Sequence, residues 1–450
     1  MTAATVATGP AGFDRRLIPP MILGSLLNPV NSSMIAVALI PIGLALGAPP
    51  AETAWLVSAL YLATAVGQPV VGRLVDTYGP RRLFLAGSTL VGVAGLLGTL
   101  APDLGVLIAA RVLIGLGTCA GYPAAMYLIR SESRRTGQDS PGGVLTALAV
   151  SAQTVAVIGP TLGGLLIGLG GWRTVFAVNI PLAVAALVLG ARRLPRAPAL
   201  RARPALDVPG IGLFAATLGA LLLFLMRPGL GHLWLLGLTV LAAAVLAWHE
   251  RRASEPFLDL RVLGGNTPLL ATYARTLLSY VVSYAFLYGY TQWLEAGRGL
   301  SAAHTGLVLL PMFLTAIVIS TLTGRRPELR GKLLVGVLAQ LAACALLLLV
   351  HPGAAIWLLL TIGVVIGVPQ GLTGLANQNA LYHQADPARM GSAAGLQRTF
   401  TYLGAMVASA AGGVSYGHGV TTPGLHHLAI FMTATSALLL VITISSRKSV

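Results

Sequence analysis

Apolar runs of about 20 residues, the length an α-helix needs to cross a bilayer, recur from one end of this chain to the other. Inside lipid only helices and closed barrels satisfy every backbone N–H and C=O, and runs this long are helical. The recurrence therefore predicts an all-α polytopic membrane protein. Composition agrees: of 450 residues, 56% are hydrophobic and 9% charged, where a soluble domain carries roughly a quarter charged. A formal net charge of +16 would suggest nucleic acid in a soluble protein. Here the basic residues lie in short loops between spans, where they report membrane orientation.

The pattern predicts fourteen spans, the first six beginning near Leu17, Thr53, Leu83, Gly105, Gly142 and Thr174. Two more run from about Val208 to Leu225 and from His232 to Trp248, and the last six begin near Pro268, Ala302, Leu333, Ala355, Gly391 and His427. Of the 29 basic residues, only Arg173, Arg227 and Arg298 fall on the odd-to-even connections, and only Arg111, Arg275 and Arg398 fall within spans. The rest, including Arg201, Arg203, Arg325 and Arg326, crowd the other connections and the tails, which predicts both termini in the cytoplasm. Linkers at Ala191–Pro204 and Glu250–Gly265 set off a two-span hairpin. The expected division is a six-helix bundle over 1–193, a linker and hairpin over 194–262, and a second six-helix bundle over 263–450. The stretch before Arg15 lacks the basic-then-apolar layout of a signal peptide. Cys119 and Cys344 lie inside apolar spans, so neither a disulfide framework, a metal site nor a cofactor is expected.

Four stretches carry a resemblance. Gly72–Arg82 reads GRLVDTYGPRR between the second and third spans. Gly72 permits close helix approach, Gly79 a turn with positive φ, and Pro80 a helix start, while Asp76 can cap that helix or pair with an arginine. The fourth span opens ARVLIGLGTCAGYP, with Arg111 ahead of Gly115, Gly117 and Gly121; the fifth contains IGPTLGG, with Gly159, Pro160, Gly163 and Gly164. The sixth begins WRTVFAVNIP. In this order they resemble the signature loop, fourth-helix motif, antiporter motif and sixth-helix start of the major facilitator superfamily, in its fourteen-helix drug:proton antiporter branch. The resemblance implies two six-helix bundles rocking about a central site, a gating loop formed by Gly72, Asp76, Gly79 and Arg81, with Arg130 or Arg134 as further latch partners, and export of a small organic molecule in exchange for protons. The second half offers only a faint echo of the loop, GRRPELRGK, without the aspartate. The first span also departs: Asn31 stands where the branch usually carries an aspartate, and an amide does not titrate near neutral pH.

The 13 acidic residues all map to tails, loops or span ends; Glu295, at the outer end of the ninth span, is the candidate proton carrier, with Asp76 next. Three embedded arginines without adjacent acids predict a cavity suited to anionic or neutral polar solutes rather than cations. Tyr273, Tyr280, Tyr284, Tyr288 and Gln292 fall on one helical face, either lining that cavity or packing helices. Asn28, Asn31, Gln153, Gln370, Thr373 and Asn377 complete the candidate polar lining beside Arg111 and Arg398. A membrane enzyme would need a nucleophile–base set or metal ligands inside spans, and His426–His427 at a span end has no acid partner. A proton-independent facilitator or importer of a polar or anionic solute, and a sensor that has lost transport, are the remaining alternatives. The expected partners are a small-molecule substrate, protons and the lipid bilayer, without nucleic acid, for a monomer in a bacterial cytoplasmic membrane.

Overall fold

The computed structural model describes residues 12–53, 55–137, 142–196, 207–226, 229–254, 256–258, 264–300, 302–324, 328–416 and 419–445. Its long helices, labelled in chain order, begin with α1 (Ile18–Leu46), α2 (Trp55–Tyr78), α3 (Pro80–Thr99), α4 (Leu104–Thr136), α5 (Gly142–Gly170), α6 (Thr174–Arg193), α7 (Val208–Met226) and α8 (Leu233–Arg252). They continue with α9 (Thr267–Gln292), α10 (Ala302–Thr323), α11 (Leu329–Leu347), α12 (Ile356–Gln384), α13 (Met390–Ser415) and α14 (Thr422–Ser445). Among the described residues, eleven can cross a bilayer by length and hydropathy, and α5, bent by 45° between Gly143–Val155 and Ile158–Gly170, makes twelve. Apolarity alone thus does not reach the expected fourteen. The two that fall short, α9 and α13, run 26 residues each. They carry five tyrosines plus Arg275 and one tyrosine plus Arg398. Helices turned toward a cavity do not need lipid-like surfaces.

Helices α1–α6 pack chiefly on one another: α1 on α5, α2 on α4, and α3 on α4 and α6. Among α9–α14 the main pairs are α10 and α11 on α12, α9 on α13 and α14, and α11 on α14. The two groups meet where α2 and α4 pack on α13 and where α5 packs on α10 and α12. Because lipid tails are as apolar as leucine, close backbone approach substitutes for a hydrophobic drive between helices. The antiporter-motif glycines illustrate this. A Cβ on Gly159 would collide with Ser33, and one on Gly163 would sit 2.9 Å from Val37, so both hold α5 against α1, while Gly164 faces open space. Pro160 lies in the second limb of the bent α5.

The hairpin α7–α8 is attached through α7, whose Leu222 is buried with Ala65 of α2 and with Tyr402 and Met406 of α13. It therefore covers the seam between the two groups. Helix α8 packs mainly on α7; Trp234 and Trp248 are exposed, and the Arg252 guanidinium lies 4.4 Å over the Trp248 ring. At the hairpin base, Asp207 accepts from the Gly210 and Phe257 amides and lies 2.7 Å from His249 Nε2. Burial works to raise the Asp207 carboxyl, but these three donors outweigh it and hold the group below the usual carboxylate range. Most of the linker with Arg201 and Arg203, Arg227, and Arg325 and Arg326 of the GRRPELRGK loop lie outside the described residues.

Candidate substrate cavity and its gate

The GRLVDTYGPRR turn folds as its residues dictate. Helix α2 ends at Tyr78, Gly79 takes φ of 88°, and Pro80 opens α3. Asp76 neither caps α3 nor pairs with an arginine. Its carboxylate accepts from the Gly391 and Ser392 amides, each at 2.8 Å, and from Ser392 Oγ at 2.7 Å, capping the first turn of α13 from across the seam. A carboxylate at a helix N-terminus also meets the positive end of the helix dipole. Close approach makes this contact possible: a Cβ on Gly72 would strike the Gly391 carbonyl, and one on Gly395 the Gln68 carbonyl. Gly72 thus serves packing on α13. Of the expected latch arginines, Arg81 stays within its own group and donates to the Ala191 carbonyl at 2.8 Å, whereas Arg130 of α4 lies 5.0 Å over the Tyr382 ring of α12, across the seam.

Further contacts between the groups follow toward the middle of the molecule. Thr399 donates to the Ala65 carbonyl at 2.7 Å, Tyr122 to Gln397 at 3.2 Å, and Tyr402 to Asn28 at 2.8 Å. Gln153 reaches Ser320 Oγ at 3.3 Å and the Gln370 carbonyl at 3.4 Å, so it braces α5 against α10 and α12. The last is a Tyr61–Tyr288 hydroxyl contact at 3.4 Å. Among the described residues, no hydrogen bond joins the two groups beyond it toward the Glu295 end. The protein is shut on the Asp76 face.

Above this closure Tyr122, Thr276, Tyr280, Gly374, Asn377, Gln378, Gln397, Arg398 and Thr401 surround a cavity of about 10 Å³, room for about one water molecule. Drug-sized sites begin near 300 Å³, so the site is collapsed in this state and a solute enters it only as the seam widens. Tyr280, Tyr284 and Tyr288 continue from it as a ladder, with ring centroids 5.9 and 5.5 Å apart, and Tyr61 packs tilted against Tyr402 nearby, centroids 5.7 Å apart. Tyr273 leaves the stripe: it is buried against Phe400, centroids 5.2 Å apart, and its hydroxyl bonds the Ala393 carbonyl. Gln292 is exposed at the end of α9.

The three embedded arginines separate. Arg111, 1% exposed, donates Nε to the Leu56 carbonyl at 2.8 Å and Nη1 to the Asn31 carbonyl at 3.2 Å, tying α4 to α2 and α1. Arg275 donates to Thr272 Oγ1 at 2.6 Å and to Asn377 Oδ1 at 3.4 Å. Arg398 stacks 4.0 Å over the Tyr122 ring and donates no hydrogen bond to any described residue. Asn31 turns away from the cavity; its amide donates to Asn179 Oδ1 at 2.6 Å and the Leu27 carbonyl at 2.8 Å, fastening α1 to α6. Asn28 is held by Thr118 and Tyr402. Of the acids, Glu132 pairs with Arg135 and accepts from the Asp14 amide, and Glu295 is exposed in the turn after α9. No described carboxylate lines the cavity, and no described group of His, Cys, Asp and Glu has metal-site geometry.

Sequence reading missed Tyr61, Tyr122, Tyr402 and Ser392. Tyr402 carried a signal, lying four residues after Arg398 and so on its helical face. The other three depend on which helices meet.

The comparisons agree with this architecture. The chain is 32% identical to the MFS-type transporter YwoD of Bacillus subtilis, over 91% of this chain and 92% of that one. It is 29% identical to the tetracenomycin C resistance and export protein of Streptomyces glaucescens, over 92% and 78%. The solved structure of the human organic anion transporter MFSD10 superposes with a TM-score of 0.69 at 14% identity, covering 97% of this chain and all of that one, which shows the fold. With residues 21–409 matching the Major Facilitator Superfamily, a two-group helical packing and a seam closed around the signature aspartate, the chain belongs to that superfamily of membrane transporters.

Proposed function

We propose that the protein exports a small organic molecule by alternating access, driven by exchange for protons. The single observation that carries this is the Asp76 carboxylate holding three donors of α13 across the seam. Charge-assisted hydrogen bonds of this kind are about twice as strong as neutral ones. Protonating Asp76 would cancel its charge, remove acceptor capacity and loosen the Asp76 face, so that the proton and the gate are one device. In this reading the spans number fourteen in a six-plus-two-plus-six plan, over 1–193, 194–262 and 263–450. Helices α9 and α13 complete the count because they face the interior. Both termini lie in the cytoplasm of a bacterial cell membrane, the Asp76 face is cytoplasmic, and the contracted cavity is the central site of a monomer. The names of resistance and export proteins among the relatives support the outward direction.

One observation favours proton-independent facilitation instead: Asn31 stands where the branch usually carries its titrating acid and is committed to Asn179. The test is proton movement in inverted vesicles with an acidic interior, adding anionic, neutral and cationic aromatic solutes in turn. Proton release on solute addition, abolished in Asp76→Asn, supports exchange. Solute uptake without proton release supports the facilitator.

A further inference from the structure

The geometry points to a compact aromatic anion as the ligand of the cavity, its acidic group on Arg398 and Asn377 and its ring against Tyr280 and Tyr284. This rests on the transport reading for what happens to the ligand afterwards, and on the cavity alone for what binds.

The charge argument begins with what Arg398 lacks. A guanidinium inside a membrane protein is costly and normally satisfies its fork of five N–H donors on carboxylates, carbonyls or water. Arg111 uses carbonyls and Arg275 uses Thr272 and Asn377. Arg398 has only the Tyr122 ring beneath it, a face contact that leaves its in-plane donors unengaged. Beside it, the Asn377 side chain is oriented by its oxygen accepting from Arg275, and its buried amide nitrogen has no acceptor. Two helices therefore bring unspent donors to one cavity, a second cation stands behind Asn377, and no carboxylate lines the space. A carboxylate or phenolate matches that fork, and a cation would face two positive charges at low dielectric.

The ring argument comes from the other wall. Tyr280 lines the cavity and Tyr284 continues from it, centroids 5.9 Å apart, and neither hydroxyl bonds to a described residue. Tyr284 is packed into the core and stacked on Tyr288, so the cavity-facing side of Tyr280 and the unbonded hydroxyls of both are what a flat guest can meet. Tyr273, on the same helix, shows the alternative, with its hydroxyl bonded and its ring stacked on Phe400. The cavity is collapsed in this state, and a single substituted ring is the aromatic guest that asks for the least widening.

The experiment is calorimetric binding to the full chain in lipid nanodiscs, using benzoate, benzamide, benzylammonium and acetate as probes, with flux of the same probes measured separately in proteoliposomes. Benzoate is expected to bind at least tenfold more tightly than benzamide or acetate, and benzylammonium least. Arg398→Gln is expected to weaken benzoate at least tenfold and leave benzamide within twofold, while Arg398→Lys retains part of the preference. Tyr280→Leu is expected to lower the benzoate-to-acetate ratio without changing the benzoate-to-benzamide ratio. Equal affinity for benzoate and benzamide, no benzoate binding by a protein that melts normally, or full benzoate affinity in folded Arg398→Gln overturns the inference. Arg398-dependent benzoate binding without flux upholds it and counts against export; flux of neutral rings independent of Arg398 does the reverse.

Discussion

Arg111 and Arg398 are the same residue type at similar depth in their spans, yet they do opposite things. Arg111 spends two donors on the Leu56 and Asn31 carbonyls and joins three helices. Arg398 spends none on described residues and rests on an aromatic face at the cavity wall. The difference teaches that an embedded charge is either architecture or an offer to a ligand, and that its hydrogen bonds decide which. Asn31 and Asn377 divide in the same way. Asn31 is committed to Asn179 and Leu27, whereas Asn377 keeps a free amide nitrogen.

The sharpest break of this comparison is in stability. Arg111→Gln strands two buried carbonyls, and since hydrogen bonds to charged groups contribute about 1.5–3 kcal/mol each, the loss is expected to be about 3 kcal/mol or more. Arg398→Gln removes one face contact, worth up to about 2 kcal/mol when desolvated. Thermal melting in detergent checks both; a larger drop for Arg398→Gln would reverse the assignment. Next comes the gate. Gly391→Ala places a methyl 2.7 Å from the Gly72 carbonyl and 2.8 Å from Asp76 Oδ1, so the Asp76 face cannot close fully. Transport is expected to fall about tenfold or more, as about 1.4 kcal/mol of lost closure implies. Labelling of a cysteine placed at Gln68 is expected to rise; unchanged labelling would remove the glycine contact as the reason for closure.

A smaller effect is expected from Asn31→Asp. An ionised aspartate there would face the Asn179 oxygen and the Leu27 carbonyl, two acceptors, without a donor of its own. The variant is expected to melt lower at pH 8 than at pH 5, where protonation supplies a donor; the same melting temperature at both would show that Asn179 reorients freely. The smallest effect is at the hairpin base. Because Asp207 titrates below its unfolded value, it adds stability above about pH 4 that is lost as pH falls through the lower folded value. Asp207→Asn is expected to flatten this acid-side slope in protease protection of the hairpin and leave transport above pH 6 unchanged.

Much of the fold was legible because lipid imposes a one-dimensional rule: a span must be apolar and long, and loops carry the arginines. The turn at Gly79 and the glycine contacts on α5 were legible for equally local reasons. The rule loosens where a helix leaves lipid for the interior, which is why α9 and α13 fall below the hydropathy of the rest. Within the site, the stripe of Tyr280, Tyr284 and Tyr288 follows from helical spacing, but spacing could not separate them from Tyr273, whose fate depends on Phe400 of another helix.

By itself the sequence determined an all-α membrane protein, because run length and composition are local properties, and the resemblance carried by the GRLVDTYGPRR turn and the three stretches after it pointed to a transporter. Only the tertiary structure decided that Asp76 reaches α13 instead of a neighbouring arginine, that Asn31 and Arg111 brace helices, and that Arg398 keeps its donors free. Each of these is a contact between residues distant in the chain, and hydrogen bonds of that range depend on which helices approach closely enough to meet.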